Sequence, residues 1–458
     1  MSNDVLHDQQ TTTSRDADHT QTFSKRYTRR TILKGAAAGA AALGGSFAFG
    51  AGPYVLGAPT SGLPSPAQSG IEHFVFVTME NRSFDHFLGW LPHANGKQAG
   101  LLYPNPNGSS SYTYPLAPDY QGCGHPDPDH SYQGGRIQYD GGKADGWLLD
   151  TANDIYSIGY YTQGDLAFLG QAAPGWSTCD NYFAAILGPT YPNRIYTHAG
   201  QTDRITNTTT ISTLPTIWDR LAASGLSGRY YYSDVPFLAL WGSKYLPISR
   251  PFASFLTDCA ADTLPQVSYI DPRFTDEDSG TSADDHPHAD IRNGEAFLNS
   301  IYQAVTTSPA WSKTVLVITY DEWGGFFDHV APTTAPISPA TKAAGDTDGR
   351  RGFRVPCLII SPWSRRGAVP RTLYDHTSVL RMIEWRWGLQ PLTVRDATAN
   401  NLAASLNFSA PSLTAPRYAV PTGPFGAPCP IGSSTSSAEA AEWAALTTLA
   451  QSYGWPIY

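Results

Sequence analysis

The sequence predicts an α/β fold with a mostly parallel central sheet and helices on both faces. Two apolar runs, residues 73–79 and 314–319, have the length and the β-branched and aromatic content of strands that are buried on both sides. Both runs end in acidic residues, and predicted helices alternate with further strands along the chain. Because strands that alternate with helices form parallel sheets covered on both faces, we expect one large α/β domain.

The composition is that of a globular protein with a large core. Of 458 residues, 41% are hydrophobic and 15% are charged, and 42 Gly and 36 Pro indicate loop-rich connections. We expect a single domain over residues 58–458, in which residues 390–458 form a C-terminal wrap. The net charge of −9 argues against nucleic-acid binding through a basic surface.

Residues 1–57 predict a disordered N-terminus followed by an export signal. Arg29 and Arg30 precede an Ala- and Gly-rich apolar run, which is typical of twin-arginine signals. We therefore expect export by the twin-arginine machinery to the periplasm or the medium. An ordinary basic segment before an Ala-rich helix is the alternative. No later run reaches the ~18–20 apolar residues of a transmembrane helix, which predicts no stable transmembrane anchor.

Five cysteines lie far apart in the sequence and show no CxxC spacing. This pattern argues against a zinc-thiolate site. At most two disulfides can form, and export to an oxidising compartment predicts one. The pairing stays open on spacing alone.

The two apolar runs deliver polar side chains to the carboxyl ends of their strands, where open α/β sheets place ligands. Glu80 and Asn81 follow the first run, and Asp321 and Glu322 follow the second. Such oxygen ligands suit one divalent metal ion, with Ca²⁺ favoured over Zn²⁺, Mn²⁺ or Fe. Hydrogen bonding to helix ends and loops is the alternative for either pair alone.

A long segment of loop composition, residues 97–146, contains His125, Asp127, Asp129 and His130. Loops of this length in a compact domain are usually functional or disordered. The aromatic and His content favours an ordered loop over the site, although each histidine alone is equally typical of a surface loop.

Thr190 lies in the sequence GPTYPNR, just ahead of a predicted helix whose first turn contains Pro192. A hydroxyl at this place can cap the helix. It can also act as a nucleophile on a phosphate that the helix N-terminus holds. Both interpretations stay open on these residues.

Further elements alternate through the rest of the chain. We predict helices at 214–223, 291–306, 372–388 and 438–452, and strands at 229–233, 266–270 and 355–361. The sequence DDHPHAD, which precedes the helix at 291–306, contains His286 and His288. These histidines are either solvated residues at a helix start or groups that bind phosphate and transfer protons.

Six short motifs, in their order along residues 71–389, resemble the bacterial phospholipase C and acid phosphatase family, which has the alkaline-phosphatase-like fold. The motifs are ENRSFDH, DPDHS, GPTYPNR, DDHP, YDEWGGFFDHVAP and VPCLIISPW. The resemblance implies that one metal ion is surrounded by Glu80, Asn81, Thr190, Asp321 and Glu322. It also implies that Thr190 is the nucleophile that takes the phosphoryl group.

The same resemblance implies roles for several histidines. His130 and His286 match family histidines that contact the phosphate or protonate the leaving group. His288, Asp328 and His329 are nearby candidates, and the two histidines among them are expected to bind substrate.

Three functions remain open at this stage. Family phospholipases often carry Thr at the nucleophile position, which favours phospholipase C-type hydrolysis of a phosphoester, with phospholipid as a candidate substrate. A broad-specificity acid phosphatase is the alternative. The aromatic residues between 230 and 241 and between 323 and 327 form either an apolar approach for lipid or core. The 12 Trp and 25 Tyr also allow a non-catalytic exported protein that binds carbohydrate or a surface.

Overall fold

The computed structural model describes residues 62–430 and 437–458. The predicted export signal and N-terminus lie outside the described residues. The described strands are β1 His73–Met79, β2 Leu102–Pro104, β3 Ser110–Tyr112, β4 Tyr114–Pro115, β5 Gly159–Tyr160, β6 Ser177–Thr178, β7 Tyr182–Phe183, β8 Gly228–Tyr232, β9 Ser249–Pro251, β10 Val267–Asp271, β11 Thr314–Tyr320, β12 Cys357–Ile360 and β13 Tyr374–Asp375.

The described α-helices are α1 Phe84–Leu88, α2 Gly134–Tyr139, α3 Leu169–Ala172, α4 Thr190–Ala199, α5 Ile217–Ala223, α6 Phe252–Ala260, α7 Ile291–Thr307, α8 Pro339–Ala343, α9 His376–Trp387, α10 Val394–Thr398 and α11 Ser437–Ser452. Short 3₁₀ helices lie between them, among them Phe237–Trp241 and Glu277–Ser279. Within these described residues, no helix combines the length and apolarity that crossing a bilayer requires.

The central sheet has seven strands in the order β6-β12-β11-β1-β10-β8-β9. The pairs from β11 to β9 are parallel, whereas β12 runs antiparallel to both of its neighbours. The predicted α/β class with a mostly parallel sheet is therefore confirmed, with one reversed strand. The two predicted long strands, β1 and β11, are neighbours at the centre of this sheet and are almost completely buried.

Adjacent side chains of β8 show that helices cover both faces of the sheet. Tyr230 points toward His198 of α4, with ring centroids 6.4 Å apart. Tyr231 points the other way, toward Phe255 of α6, with centroids 5.4 Å apart. The alternation of side chains along a strand thus gives each face of the sheet its own helix layer.

Several predicted boundaries differ from the observed ones for local reasons. The helix predicted at 214–223 begins at Ile217, because Thr216 and Asp219 form a capping box. The helix predicted at 372–388 begins at His376, because Tyr374–Asp375 pairs as a strand and Asp375 caps the helix. The segment 97–146, predicted as loop, also contains β2, β3, β4 and α2.

One disulfide, Cys123–Cys429, joins the His125 region to the C-terminal segment. The predicted single disulfide is therefore confirmed, with a pairing across 306 residues that spacing alone did not reveal. The other three cysteines are free and buried. Before α11, residues 411–430 run without regular structure and bond to the domain through contacts such as Tyr302 Oη donating to the Pro416 carbonyl.

Candidate active site

In-register pairing of β1 and β11 brings the two acidic pairs together. Met79 lies opposite Tyr320 at the carboxyl ends of these strands, so Glu80 and Asp321 leave the sheet side by side. The Asp321 N–H donates to the Met79 carbonyl at 3.0 Å, and the Asn81 N–H donates to Asp321 Oδ1 at 3.2 Å. Glu80, Asn81 and Asp321 are all fully buried. Glu80, Asn81 and Asp321, three of the four residues predicted to converge, therefore lie together at the edge of the sheet.

The glycine after the second acidic pair allows the two loops to pack closely. A Cβ atom on Gly324, whose φ is +63°, would lie 2.0 Å from the Asn81 carbonyl oxygen. Gly324 donates its N–H to Glu322 Oε2 at 2.7 Å, and the Glu322 N–H donates to Asp321 Oδ1 at 2.7 Å. Only glycine fits at this position, which explains its place directly after YDEW.

Thr190 is the first residue of α4, and its hydroxyl is directed at the acidic strand ends. Its Oγ1 lies 3.4 Å from Asn81 Oδ1 and is completely buried. The capping contact at this helix end comes from Asn207, whose Oδ1 accepts the Tyr191 N–H at 2.8 Å. The geometry therefore supports the interpretation of Thr190 as a reactive hydroxyl next to the predicted metal ligands.

Arg194, one helical turn after Thr190, is a central site residue that the sequence predictions omitted. Its Nε lies 3.0 Å from Asp321 Oδ2 and 3.5 Å from Glu80 Oε1, and its Nη1 lies 2.9 Å from Asp271 Oδ1. Burial opposes its charge, but these carboxylates together raise the pKa of Arg194 above the ordinary value. The spacing of four residues in TYPNR, which places both side chains on one helix face, is the signal that could have found it.

The donor set around Thr190 suits a hard divalent cation. Carboxylate, amide and hydroxyl oxygens come from Glu80, Asn81, Thr190, Asp321 and Glu322, which are all fully buried. Arg194 supplies one positive charge to several carboxylates, so negative charge remains for a cation to offset. Among the described residues, Asn81 Nδ2 has no hydrogen-bond partner, which shows that this polar group is not closed by protein contacts.

The tightest carboxylate grouping around Glu80 includes two residues that the prediction of metal ligands omitted. Glu80, Glu277 and Asp284 each place an oxygen within 4.8 Å of the others. Burial, followed by the neighbouring Glu277, raises the pKa of Asp284 well above its usual range. A metal site that used these carboxylates would extend toward DDHPHAD, where Asp284 begins the motif.

His130 and His286 lie together, as the family resemblance implies. Each ring donates Nδ1–H to a backbone carbonyl: His130 to Pro128 at 2.9 Å and His286 to Pro287 at 2.8 Å. Because a carbonyl only accepts, Nδ1 carries the proton in the neutral form of each ring, and Nε2 is the nitrogen that gains or loses a proton. His286 Nε2 lies 3.7 Å from Asp127 Oδ2, and the two rings are 6.1 Å apart.

The structure places the remaining predicted residues differently. His288 Nε2 bonds to the His125 carbonyl at 3.0 Å, so it holds the loop that carries the other histidines. His329 and Asp328 lie in a second cluster with Asp85, where Arg354 bridges the two aspartates. Although His329 is close to Asp321 and Glu322 in the sequence, it does not lie with His130 and His286 in the structure.

A cavity of about 260 Å³ lies beside Thr190. Its lining includes Asp127 and His130 from the long loop, Pro189 ahead of α4, Asn207, and Glu442 of α11. The cavity thus lies between the histidine loop and Pro189, which directly precedes Thr190 at the start of α4.

The aromatic residues considered as a lipid approach are core. The members of this set are at most 4% exposed; they are Tyr230, Tyr231, Tyr232, Phe237, Leu238, Leu240, Trp241, Trp323, Phe326 and Phe327. The interpretation as core, which the sequence left open, is therefore correct.

Comparison with known proteins assigns most of this chain to one family. The model of the Phosphoesterase family matches residues 71–390. Phospholipase C B of Mycobacterium tuberculosis is 31% identical over 84% of this chain and 86% of its own length. Non-specific phospholipase C6 of Arabidopsis thaliana is 29% identical over 77% of this chain and 75% of its own length.

Solved structures with similar folds are more distant. An alkaline phosphatase superfamily protein from Vibrio parahaemolyticus is 10% identical, with a TM-score of 0.39 over 82% of this chain and 79% of that chain. Phosphonate monoester hydrolase of Agrobacterium radiobacter is also 10% identical, with a TM-score of 0.36 over 73% of this chain and 77% of that chain.

Proposed function

Because this chain belongs to the phosphoesterase family and is a phosphoric ester hydrolase, we propose that it cleaves phosphodiesters in the manner of a phospholipase C, through a phospho-threonine at Thr190. The observation that carries the proposal is the buried Thr190 hydroxyl, 3.4 Å from Asn81 Oδ1 at the start of α4. Family membership removes the alternative of a non-catalytic carbohydrate- or surface-binding protein.

The oxygen donors around Thr190 would hold a divalent cation. These residues are Glu80, Asn81, Thr190, Asp321 and Glu322, a set that favours Ca²⁺ and leaves Zn²⁺, Mn²⁺ and Fe as alternatives. When bound, such an ion neutralises phosphoryl oxygens and lowers the pKa of the hydroxyl. Arg194 lies 3.0 Å from Asp321 Oδ2 and 3.5 Å from Glu80 Oε1, and so orients both carboxylates for this task.

Before the first turnover the Thr190 hydroxyl releases its proton to solvent, and the resulting alkoxide is regenerated in each cycle. In the first step, this alkoxide forms a bond to phosphorus while the bond from phosphorus to the leaving alkoxide breaks. The N-terminus of α4 stabilises the negative charge on the phosphoryl oxygens. Nε2 of one protonated histidine, His130 or His286, gives its proton to the leaving alkoxide.

In the second step, the same Nε2 takes a proton from water, whose oxygen attacks the phosphorus and releases Thr190 as alkoxide. Asp127 stabilises the imidazolium of His286 across 3.7 Å. The cycle therefore consumes one water and returns every protein group to its starting state.

Phospholipid is the proposed substrate because the relatives named above are phospholipases C. The test compares kcat/KM for phosphatidylcholine, phosphocholine and an aryl phosphomonoester at pH 5 and pH 7. We expect release of diacylglycerol, loss of activity with a chelator, and recovery with added metal. Preference for the monoester at both pH values, without diacylglycerol, would establish the acid phosphatase alternative instead.

Export by the twin-arginine route is a second proposal. It is supported by Arg29 and Arg30 and by the disulfide Cys123–Cys429, since disulfides persist in oxidising compartments. Replacing both arginines by lysine should retain the protein in the cytoplasm. Unchanged appearance of that variant in the periplasm or the medium would contradict the route.

A further inference from the structure

Helix α11 lies beyond the residues that match the family, yet it packs against the start of α4. Tyr191 Oη donates to the Glu442 carbonyl at 3.0 Å. The Trp443 ring stacks on Phe274 with centroids 4.1 Å apart and planes 6° apart, and Phe274 in turn lies 4.6 Å from the Arg194 guanidinium. This packing fixes α11 relative to the nucleophile.

The Glu442 carboxylate is held at the rim of the cavity beside Thr190. Asn207 Nδ2 donates to Glu442 Oε2 at 2.6 Å, while Asn207 Oδ1 accepts the Tyr191 N–H at 2.8 Å. One amide thus connects the carboxylate to the first turn of α4. The side chain is a fixed part of the cavity wall and not a mobile surface group.

The charge of the cavity wall is negative. Asp127, Asp129 and Glu442 contribute carboxylates, and none of the described residues that line the cavity is Lys or Arg. A phosphomonoester dianion would meet repulsion here, whereas a positively charged substituent would be attracted. The wall therefore discriminates between substrates by the charge of the group attached to phosphorus.

The cavity size decides which part of a phosphodiester it receives. About 260 Å³ is below the ~300–1,000 Å³ of pockets that enclose drug-sized ligands, so the cavity suits a small headgroup better than two acyl chains. In the proposed reaction the acyl-bearing alcohol leaves, and the headgroup stays on the phosphorus that Thr190 holds. The headgroup is therefore the part of the substrate that faces Glu442.

We propose that Glu442 is a specificity-determining residue, which selects phosphodiesters whose retained substituent carries an ammonium group. The inference rests on the proposed function of the site and specifies which substituent that site prefers. The carboxylate acts on binding of the headgroup and takes no part in proton transfer.

The test uses two diesters with the same leaving group, 4-nitrophenyl phosphocholine and 4-nitrophenyl 3,3-dimethylbutyl phosphate. They differ only in that a neutral carbon replaces the ammonium nitrogen. We expect the wild-type protein to favour the choline ester about tenfold in kcat/KM, and Glu442→Gln to remove most of this preference through KM. Glu72→Gln, an exposed change remote in the fold, should leave the preference intact.

The outcomes separate this inference from the proposed function. If the wild-type protein cleaves both esters equally, the selectivity assigned to Glu442 is wrong while the phosphodiesterase activity stands. If Glu442→Gln slows both esters equally, the residue supports packing and does not select. If the wild-type protein cleaves neither ester, the proposed function itself fails, and this inference with it.

Discussion

Two buried arginines each bridge one carboxylate of the motif ENRSFDH and one of YDEWGGFFDH, but the two clusters differ in how completely they are closed. Arg194 pairs with Glu80 and Asp321, and also with Asp271 at the end of β10. Arg354 donates Nε to Asp328, Nη2 to Asp85, and Nη1 to the carbonyls of Asn95 and Asp180. Every nitrogen of this guanidinium has a partner.

The carboxylates of the Arg354 cluster are equally well satisfied. Asp85 accepts the backbone N–H of Lys97 at 3.0 Å and that of His329 at 2.9 Å, and its Oδ2 also bonds to the His329 ring. Asp328 accepts the Val330 N–H at 2.8 Å. These contacts close the cluster, which makes it part of the scaffold.

The Arg194 cluster also pairs an arginine with carboxylates. In addition, it contains a hydroxyl and, among the described residues, polar atoms without a hydrogen-bond partner. Thr190 Oγ1 points into it, and among the described residues Asn81 Nδ2 and Asp284 Oδ2 have no hydrogen-bond partner. Buried polar atoms without partners are costly, so they are retained where a ligand completes them. Between these two clusters, completeness of hydrogen bonding, and not the presence of acids and histidines, distinguishes the candidate site from the closed Arg354 cluster.

Asp321→Asn breaks the open cluster and should give the largest effect on activity. We expect kcat/KM for an aryl phosphodiester to fall at least about 10²–10³-fold, because one charge near the reacting phosphate is lost. The amide oxygen can still accept the N–H groups of Asn81 and Glu322, while the new NH₂ would face Arg194 Nε. Because Arg194 keeps Glu80 and Asp271 as partners, the unfolding free energy should fall by about 1–3 kcal/mol, less than in the closed cluster. Metal content, measured by mass spectrometry, should fall as well; a variant with full metal and full rate would move the site elsewhere.

Asp85→Asn is the matched change in the closed cluster, and we expect the opposite result. The new amide NH₂ would face either the donors of Arg354 and Lys97 or those of His329. Breaking a buried charge pair in this way should lower the unfolding free energy by about 3–5 kcal/mol. Urea unfolding followed by tryptophan fluorescence measures this loss, and kcat/KM of the folded protein should be nearly unchanged. Normal stability with lost activity would place Asp85 in the site.

Glu295 extends the comparison to a buried carboxyl group that forms no ion pair with an arginine among the described residues. Its Oε2 accepts the N–H groups of Phe168 and Leu169, and burial together with the nearby Asp285 raises the pKa of Glu295 from 4.5 to about 8. The folded state thus retains a proton that the unfolded state loses above pH 4.5. The stabilisation is complete below about pH 4.5 and is lost progressively as the pH rises to about 8.

Glu295→Gln removes this proton linkage. Between pH 5 and pH 9, the wild-type protein should lose about 2 kcal/mol or more of unfolding free energy relative to the variant. Urea unfolding of both proteins across this range measures the difference. Parallel pH profiles would show that Glu295 titrates alike in both states.

The sequence predicted those site residues that local patterns position. The length and apolarity of two runs predicted β1 and β11. Because these strands pair in parallel register and end at the same level, Glu80 lies next to Asp321. Motif order gave Thr190 and the pair of His130 and His286. Their positions could be predicted because each residue lies at the end of a strongly apolar strand or in a motif that the family resemblance covers; their roles stay predictions.

Other features depend on contacts between distant segments, which local patterns do not encode. The reversed direction of β12, the pairing of Cys123 with Cys429, and the position of Glu442 all follow from the path of the chain around the sheet. His329 and His130 have similar acidic neighbours in the sequence. Only the structure shows that His329 belongs to the closed cluster.

The most direct test of the central claim is to identify the covalent intermediate on Thr190. The protein is mixed with 4-nitrophenyl phosphocholine, quenched in acid during turnover, digested, and its peptides are analysed by mass spectrometry. We predict phosphocholine on the peptide that contains Thr190, and neither adduct nor turnover in Thr190→Ala. This variant should fold normally, because Asn207 caps the helix end and the loss of one hydroxyl hydrogen bond costs only about 1 kcal/mol. Sustained turnover by Thr190→Ala, or an adduct on another residue of the wild-type protein, would contradict the account.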